Sequence, residues 1–162
     1  LHTVNALRCA IPDIGLSTDL IVGFPTETEE EFSETLQVVS QISYDAAYTF
    51  IYSPRRGTAA ASMEGQIAEK VKSDRCRRLV ELQSAIARKK NEEQVGKTLR
   101  ALVEGPSKTN PERLTGRTEQ NRLVHISGDR SLIGQWCDLK IEQAEAYALY
   151  GSLAEMKTNE NK

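Results

Sequence analysis

Val4, Leu7, Arg8 and Ile11 recur at helical spacing at the head of the chain, and Pro12-Asp13 closes that pattern. From Ile14 to Phe24 the pattern changes to an apolar run containing Leu16, Leu20, Ile21 and Val22, ended by Gly23-Phe24-Pro25. Such a run, bounded by turn residues, predicts a strand buried on both faces, as in a parallel sheet. Thr26 or Thr28 is placed to cap a following helix, and Glu27, Glu29, Glu30 and Glu31 suit the positive end of its dipole. Phe32, Thr35, Leu36, Val39 and Ile42 give that helix an inward stripe, and Tyr44-Asp45 breaks it. A second strand is predicted over 46–52, then a loop, Ser53-Pro54-Arg55-Arg56-Gly57-Thr58. Helix–strand–helix–strand over the first sixty or so residues is a βαβ unit of a parallel α/β fold.

A long helix follows over about 68–94, with Val71, Leu79, Leu82 and Ile86 as a narrow apolar stripe and Gly96 at its end. The period then switches from helical to alternating. Leu99, Ala101 and Val103 alternate with more polar neighbours, 105–111 is rich in turn residues, and short strands are predicted over 114–117, 123–126 and 135–141. Several short strands in so few residues predict a small β-barrel. The reading is α/β followed by all-β: an α/β fragment over 1–66, a connector helix over 67–94, a β-barrel over 95–153 and a disordered tail over 154–162. A single strand–helix–strand unit cannot cover both faces of its sheet, and the chain does not start with Met. Both features point to a piece of a longer protein.

Composition narrows the classes. With 39% hydrophobic and 27% charged residues the chain is globular rather than disordered, and no apolar run approaches the roughly 20 residues of a spanning helix. The net charge of −2 lacks the overall basic surplus of many nucleic-acid binders. The signs are segregated, however: acids cluster over 27–34, while Arg75, Arg77, Arg78, Arg88, Lys89 and Lys90 mark the long helix, where they are expected on its solvated side. Cys9, Cys76 and Cys137 are too scattered for a disulfide framework or a metal-ligand motif and read as reduced thiols.

The run Leu16-Ser17-Thr18-Asp19-Leu20-Ile21-Val22-Gly23-Phe24-Pro25, with Glu27-Thr28 and Phe32, resembles the fifth strand and next helix of the radical-SAM methylthiotransferase barrel. Tyr52-Ser53-Pro54-Arg55 with Gly57-Thr58 looks like the loop after the sixth strand of that family. Arg75, Leu79, Leu82, Gln83 and Asn91, ending in Val95-Gly96-Lys97, resemble its connector to a C-terminal TRAM domain. Leu102-Val103-Glu104-Gly105-Pro106-Ser107-Lys108, Leu114-Thr115-Gly116-Arg117-Thr118 and Asn121-Arg122 resemble the TRAM domain itself. The sister enzymes that modify a ribosomal protein carry an Asp-Gly pair where Asn121-Arg122 stands, so the resemblance favours the tRNA-modifying, MiaB-type branch. The family usually has Gly at Thr26 and Pro at Ala59, and Tyr150 stands where it has Arg; Thr26 is expected to be tolerated as a cap, and Tyr150 is a candidate to stack on a base.

The resemblance implies the end of a partial TIM-like radical-SAM barrel joined to a TRAM barrel. It implies a parent that uses S-adenosylmethionine and [4Fe-4S] clusters to place a methylthio group on C2 of a modified adenosine beside the tRNA anticodon. The cluster-binding cysteine motif is absent from this sequence, so this part is expected to be inactive alone. Thr18, Asp19, Ile21, Gly23 and Arg55 are the expected cofactor-binding residues: Thr18-Asp19 for polar contacts, Ile21 and Gly23 against the adenine, Arg55 for a carboxylate or phosphate. Lys97, Lys108, Arg117, Asn121 and Arg122 are the expected RNA-binding residues, with tRNA as partner through its anticodon stem-loop. Trp136 is expected to pack, and His125 to be a strand residue without catalytic role. The implied protein is a cytoplasmic monomer. A stand-alone RNA-binding module and a ribosomal-protein methylthiotransferase remain the alternatives.

Overall fold

The computed structural model describes residues 1–108 and 110–154. The expected tail, beyond Ala154, lies outside the described residues. The chain divides into two compact units, 1–87 and 88–162.

The first unit runs α1 (His2–Ala10), β1 (Ser17–Val22), α2 (Glu29–Ile42), β2 (Ala46–Ile51), a short α3 (Ala59–Ser62) and most of α4 (Glu69–Glu92). Strands β1 and β2 are parallel and in register, Ser17 opposite Ala46 through Val22 opposite Ile51. Between Thr28 and Thr26, Thr28 is the cap. Its hydroxyl accepts from the Glu31 N–H while the Glu31 carboxylate accepts from the Thr28 N–H, so two otherwise orphaned donors are satisfied. Ser43 in the left-handed region stops α2.

Val22, Phe32, Val39 and Leu79 form the core of this unit, with Leu20, Leu36, Tyr44, Cys76, Leu82 and Ile86 around them. The helices lie on one side of the sheet, which corrects the expectation of a strand buried on both faces. Exposure alternates along β1, and Ile21 is 58% and Phe50 51% exposed. A second correction concerns the basic stretch. Arg75 is buried rather than solvated: its guanidinium donates to the Glu27 carboxylate at 2.6 Å and backbone carbonyl at 2.9 Å, and also reaches Glu29. Arg78 pairs with Glu29 at 2.6 Å, so the two oppositely charged segments of the sequence meet.

The second unit is a closed barrel in the order β3-β4-β5-β7-β6, from β3 (Thr98–Pro106), β4 (Leu114–Thr118), β5 (Leu123–Ile126), β6 (Trp136–Ala144) and β7 (Leu149–Leu153). All pairings are antiparallel except β5 with β7, and β7 closes the barrel by inserting between β5 and β6. This is a small Greek-key barrel, an architecture that removes open strand edges. The alternating period did not reveal β7, and β3 continues through Gly105-Pro106 where a turn was expected.

Inward residues Ala101, Val103, Leu114, Val124, Ile126, Leu139, Ile141 and Leu149 form its core. Closing so small a barrel needs sharp coiling, and two glycines supply it. A Cβ on Gly116 would overlap the Leu102 carbonyl, and one on Gly151 the Lys140 carbonyl. Each glycine faces a register shift in its partner, between Val103 and Gly105 in β3 and between Ile141 and Gln143 in β6. Asn91, buried near the end of α4, donates to the Glu145 and Ala146 carbonyls and thereby fixes the β6–β7 turn.

Candidate cofactor face and nucleic-acid interface

The expected cofactor residues separate into three places. Because side chains alternate along a strand, Thr18 and Asp19 cannot act as a pair on one face. Thr18 shares the side of Leu20 and Val22, while Asp19 and Ile21 lie on the exposed side. Opposite them stand Tyr48 and Phe50, so Asp19, Ile21, Tyr48 and Phe50 form one outward face. Tyr48 and Phe50 were not singled out in the sequence, although the alternation of 46–51 held the signal.

Gly23 and Arg55 follow the carboxyl ends of the two parallel strands, and Phe24 and Tyr52 meet edge-to-face there at 5.2 Å. Gly23 has φ +74, its N–H donates to Glu27 at 2.8 Å, and the side on which a Cβ would lie is filled by the Lys72 stem. The local demand for glycine is thus met by backbone and packing. Arg55 is exposed, and its carbonyl accepts from the Thr58 hydroxyl at 2.8 Å. Thr26 has φ +71, so a β-branched residue occupies a conformation that favours glycine. Its departure from the family pattern is one of backbone strain rather than capping.

In the barrel, the strand registers place outward side chains in rows. One row crosses four strands as Leu123 on β5, Arg117 on β4, Leu102 on β3 and Trp136 on β6. A second runs Thr115, His125, Tyr150 and Gln143. In Greek-key barrels that bind oligonucleotides, the face of the second and third strands carries the contacts, here β4 and β5. Arg117 stands on that face, its guanidinium donating to the Asn121 carbonyl at 3.1 Å and lying 3.9 Å from Glu104. Asn121 is exposed in the β4–β5 turn with φ +62. Lys108 is exposed in the loop after β3. Lys97 is exposed beside Gln94. Arg122 differs from these: its guanidinium donates to the Asn91 side chain at 2.6 Å, within the unit's own framework.

The aromatic residues also differ from expectation. Tyr150 is not an open platform, since His125 stacks on it with centroids 5.1 Å apart and the Arg113 guanidinium lies 5.5 Å from its centroid. Burial, and then the nearby Arg113 charge, hold the His125 imidazole below its ordinary pKa; Glu145 acts weakly in the other direction. Trp136 does not pack inside: it is 49% exposed, because Cys137, Leu139 and Ile141 take the inward positions of β6.

A βαβ unit followed by a closed five-stranded Greek-key barrel with an Arg-bearing outer face defines a two-part protein. Residues 92–154 match the TRAM domain, and the chain carries that domain. Along nearly its whole length it is similar to proteins named tRNA-2-methylthio-N(6)-dimethylallyladenosine synthase. The one from Moorella thermoacetica is 48% identical over 155 residues, covering 96% of this chain and 35% of the relative. That from Geobacillus kaustophilus is 49% identical over 153 residues, covering 94% of this chain and 29% of the relative. The chain thus spans about a third of the length of these curated relatives.

Proposed function

We propose that this chain is the C-terminal part of a radical-SAM tRNA methylthiotransferase, contributing one wall of the cofactor pocket and the RNA-binding TRAM barrel. The observation that carries this reading is the continuous similarity, 48% identity over 96% of the chain, running through both units to synthases named for tRNA. The βαβ unit then supplies late strands of the partial barrel, and its exposed sheet face is the side turned to the barrel interior.

That face suits the nucleoside part of S-adenosylmethionine. Ile21 and Phe50 offer an apolar wall, Tyr48 an aromatic one, and the Asp19 carboxylate accepts hydrogen bonds from ribose hydroxyls. When bound, the cofactor supplies the radical and methyl chemistry that modifies C2 of the adenosine. The work of this chain is to bind the nucleoside, orient it through Asp19, and cover it from water with Ile21 and Phe50. The residues here do not fit a [4Fe-4S] cluster: among the described residues, no three His, Cys, Asp or Glu side chains gather as a metal site. No step is therefore assigned to a cluster on this chain. No helix among the described residues is long and apolar enough to cross a membrane. We assign the protein to the cytoplasm, as a monomer acting on tRNA through its anticodon stem-loop.

Filter binding of tRNA across a salt series tests the RNA half of this reading. Arg117→Ala should weaken binding and lower the slope of log K against log salt by about one. Arg122→Ala is a poorer probe, because it also removes the hydrogen bond to Asn91. Unchanged affinity and slope in Arg117→Ala would remove β4 from the interface.

A further inference from the structure

We infer that Trp136, with Arg100 beside it, is a stacking platform for an unpaired RNA base, at the end of the row that begins on β4 and β5. The inference rests on the barrel being the RNA-binding part and names a place within it that charge-based reading does not find.

Trp136 is the only tryptophan of the chain and opens β6. Its indole is the largest side chain on the barrel's exterior, and half of it remains in water although inward positions of the same strand are filled by small and aliphatic residues. The Arg100 guanidinium lies 5.5 Å from its ring centroid. Arg100 stands opposite Asp138 across the β3–β6 pair, yet among the described residues it makes no ion pair. Its cation is held by the indole instead, as a guanidinium over an aromatic face can be. The guanidinium thus lies over one face of the indole, while half of the side chain stays in water as a flat, polarisable surface.

The rings on β5 and β7 do not offer this. Tyr150 and His125 occupy one another's faces, and Arg113 sits against Tyr150. From Trp136, the same row continues through the half-buried Leu102 to Arg117, two strands away, or about 10 Å at ordinary strand spacing. A base stacked on Trp136 therefore leaves a neighbouring phosphate within reach of Arg117. The acids on this face, Glu104 and Asp138, nearly balance Arg100 and Arg117. A duplex held by phosphate contacts alone would gain little here. Stacking has no such dependence on charge, because every base has a π-face. The occupant that fits is a single-stranded nucleotide.

The experiment uses the full 162-residue chain with fluorescein-labelled octa-adenylate, and a blunt RNA duplex for comparison. Because Trp136 is the only tryptophan, quenching of fluorescence excited beyond the tyrosine absorption band reports on this position alone. Octa-adenylate should quench it and the duplex should not. By anisotropy, Trp136→Ala should lose about ten-fold or more in affinity for octa-adenylate with an unchanged salt slope, as loss of one stacked base predicts. Trp136→Phe should retain most of the affinity, which separates loss of stacking from loss of fold. Wild-type affinity in Trp136→Ala, with Arg117→Ala still weakened, overturns the platform and leaves the RNA-binding barrel standing. A Trp136→Ala change that alters sedimentation but not RNA affinity also overturns it, assigning the face to a second copy of the chain. Failure of the wild-type chain to bind either octa-adenylate or tRNA overturns both readings.

Discussion

Single residues in this chain show how local preference and tertiary demand can conflict. Thr26 holds φ +71 while exposed, with its N–H donating to the Gly65 carbonyl at 2.9 Å. A left-handed conformation costs a residue with a Cβ about 1–2 kcal/mol, while glycine loses about 0.5–1 kcal/mol more backbone entropy on folding. The first effect is larger, so Thr26→Gly should stabilise the first unit by about 0.5–1 kcal/mol, seen as a higher urea midpoint with unchanged slope. His125 gives a pH dependence of known sign. Its folded-state pKa lies below the ordinary 6.5, so the unfolded chain binds more protons as pH falls. The stability this contributes is present above the unfolded value and is lost as pH drops through the folded one. Imidazole NMR should place the His125 midpoint below 6.5, and Arg113→Ala should raise it only part of the way, since burial is the larger cause.

At the scale of elements, the cap of α2 was legible only as Thr26 or Thr28, and the structure selects Thr28, which Glu31 answers within four residues. The boundaries of β2, β4 and β5 also followed closely from apolar runs and turn residues, while β1 is shorter at both ends than the run over 14–24 suggested. β7 did not, because Leu149-Tyr150-Gly151 is too short to show a period, and its burial depends on pairing with β5 on one side and β6 on the other. The same pairing explains its glycine. Gly116 and Gly151 stand where the coiled β3 and β6 backbones come too close for a Cβ. Gly116→Ala should therefore destabilise the barrel by about 1–3 kcal/mol through forced backbone movement, lowering its thermal midpoint. Alanine at Gly105, where an added Cβ meets open space, should have a much smaller effect in the same measurement.

Over the whole molecule, the two units differ in how completely they satisfy themselves. The barrel has a closed ladder and a core sealed on all sides, whereas β1 and β2 leave Ile21, Tyr48 and Phe50 in water. Native-state hydrogen exchange should accordingly find the slowest amides at Val103, Leu139 and Ile141 and much faster exchange along β1 and β2. Equal protection in the two sheets would mean that the exposed face is covered in solution.

The sequence alone settled the order of elements apart from α3 and β7, the switch from α/β to all-β near Gly96, and a resemblance that the synthase relatives bear out. These are short-range properties: periodicity, caps and turn residues act over a few positions and survive in one dimension. Tertiary structure decided what depends on distant partners. It buried Arg75 against Glu27, 48 residues away, and drew Arg122 to Asn91. It also put Thr18 and Asp19 on opposite sides of one strand, closed the rings of Tyr150 and His125 on each other, and left Trp136 open. Whether a charge or a ring is available to a ligand depends on which other groups reach it, and that is fixed only when the chain has folded.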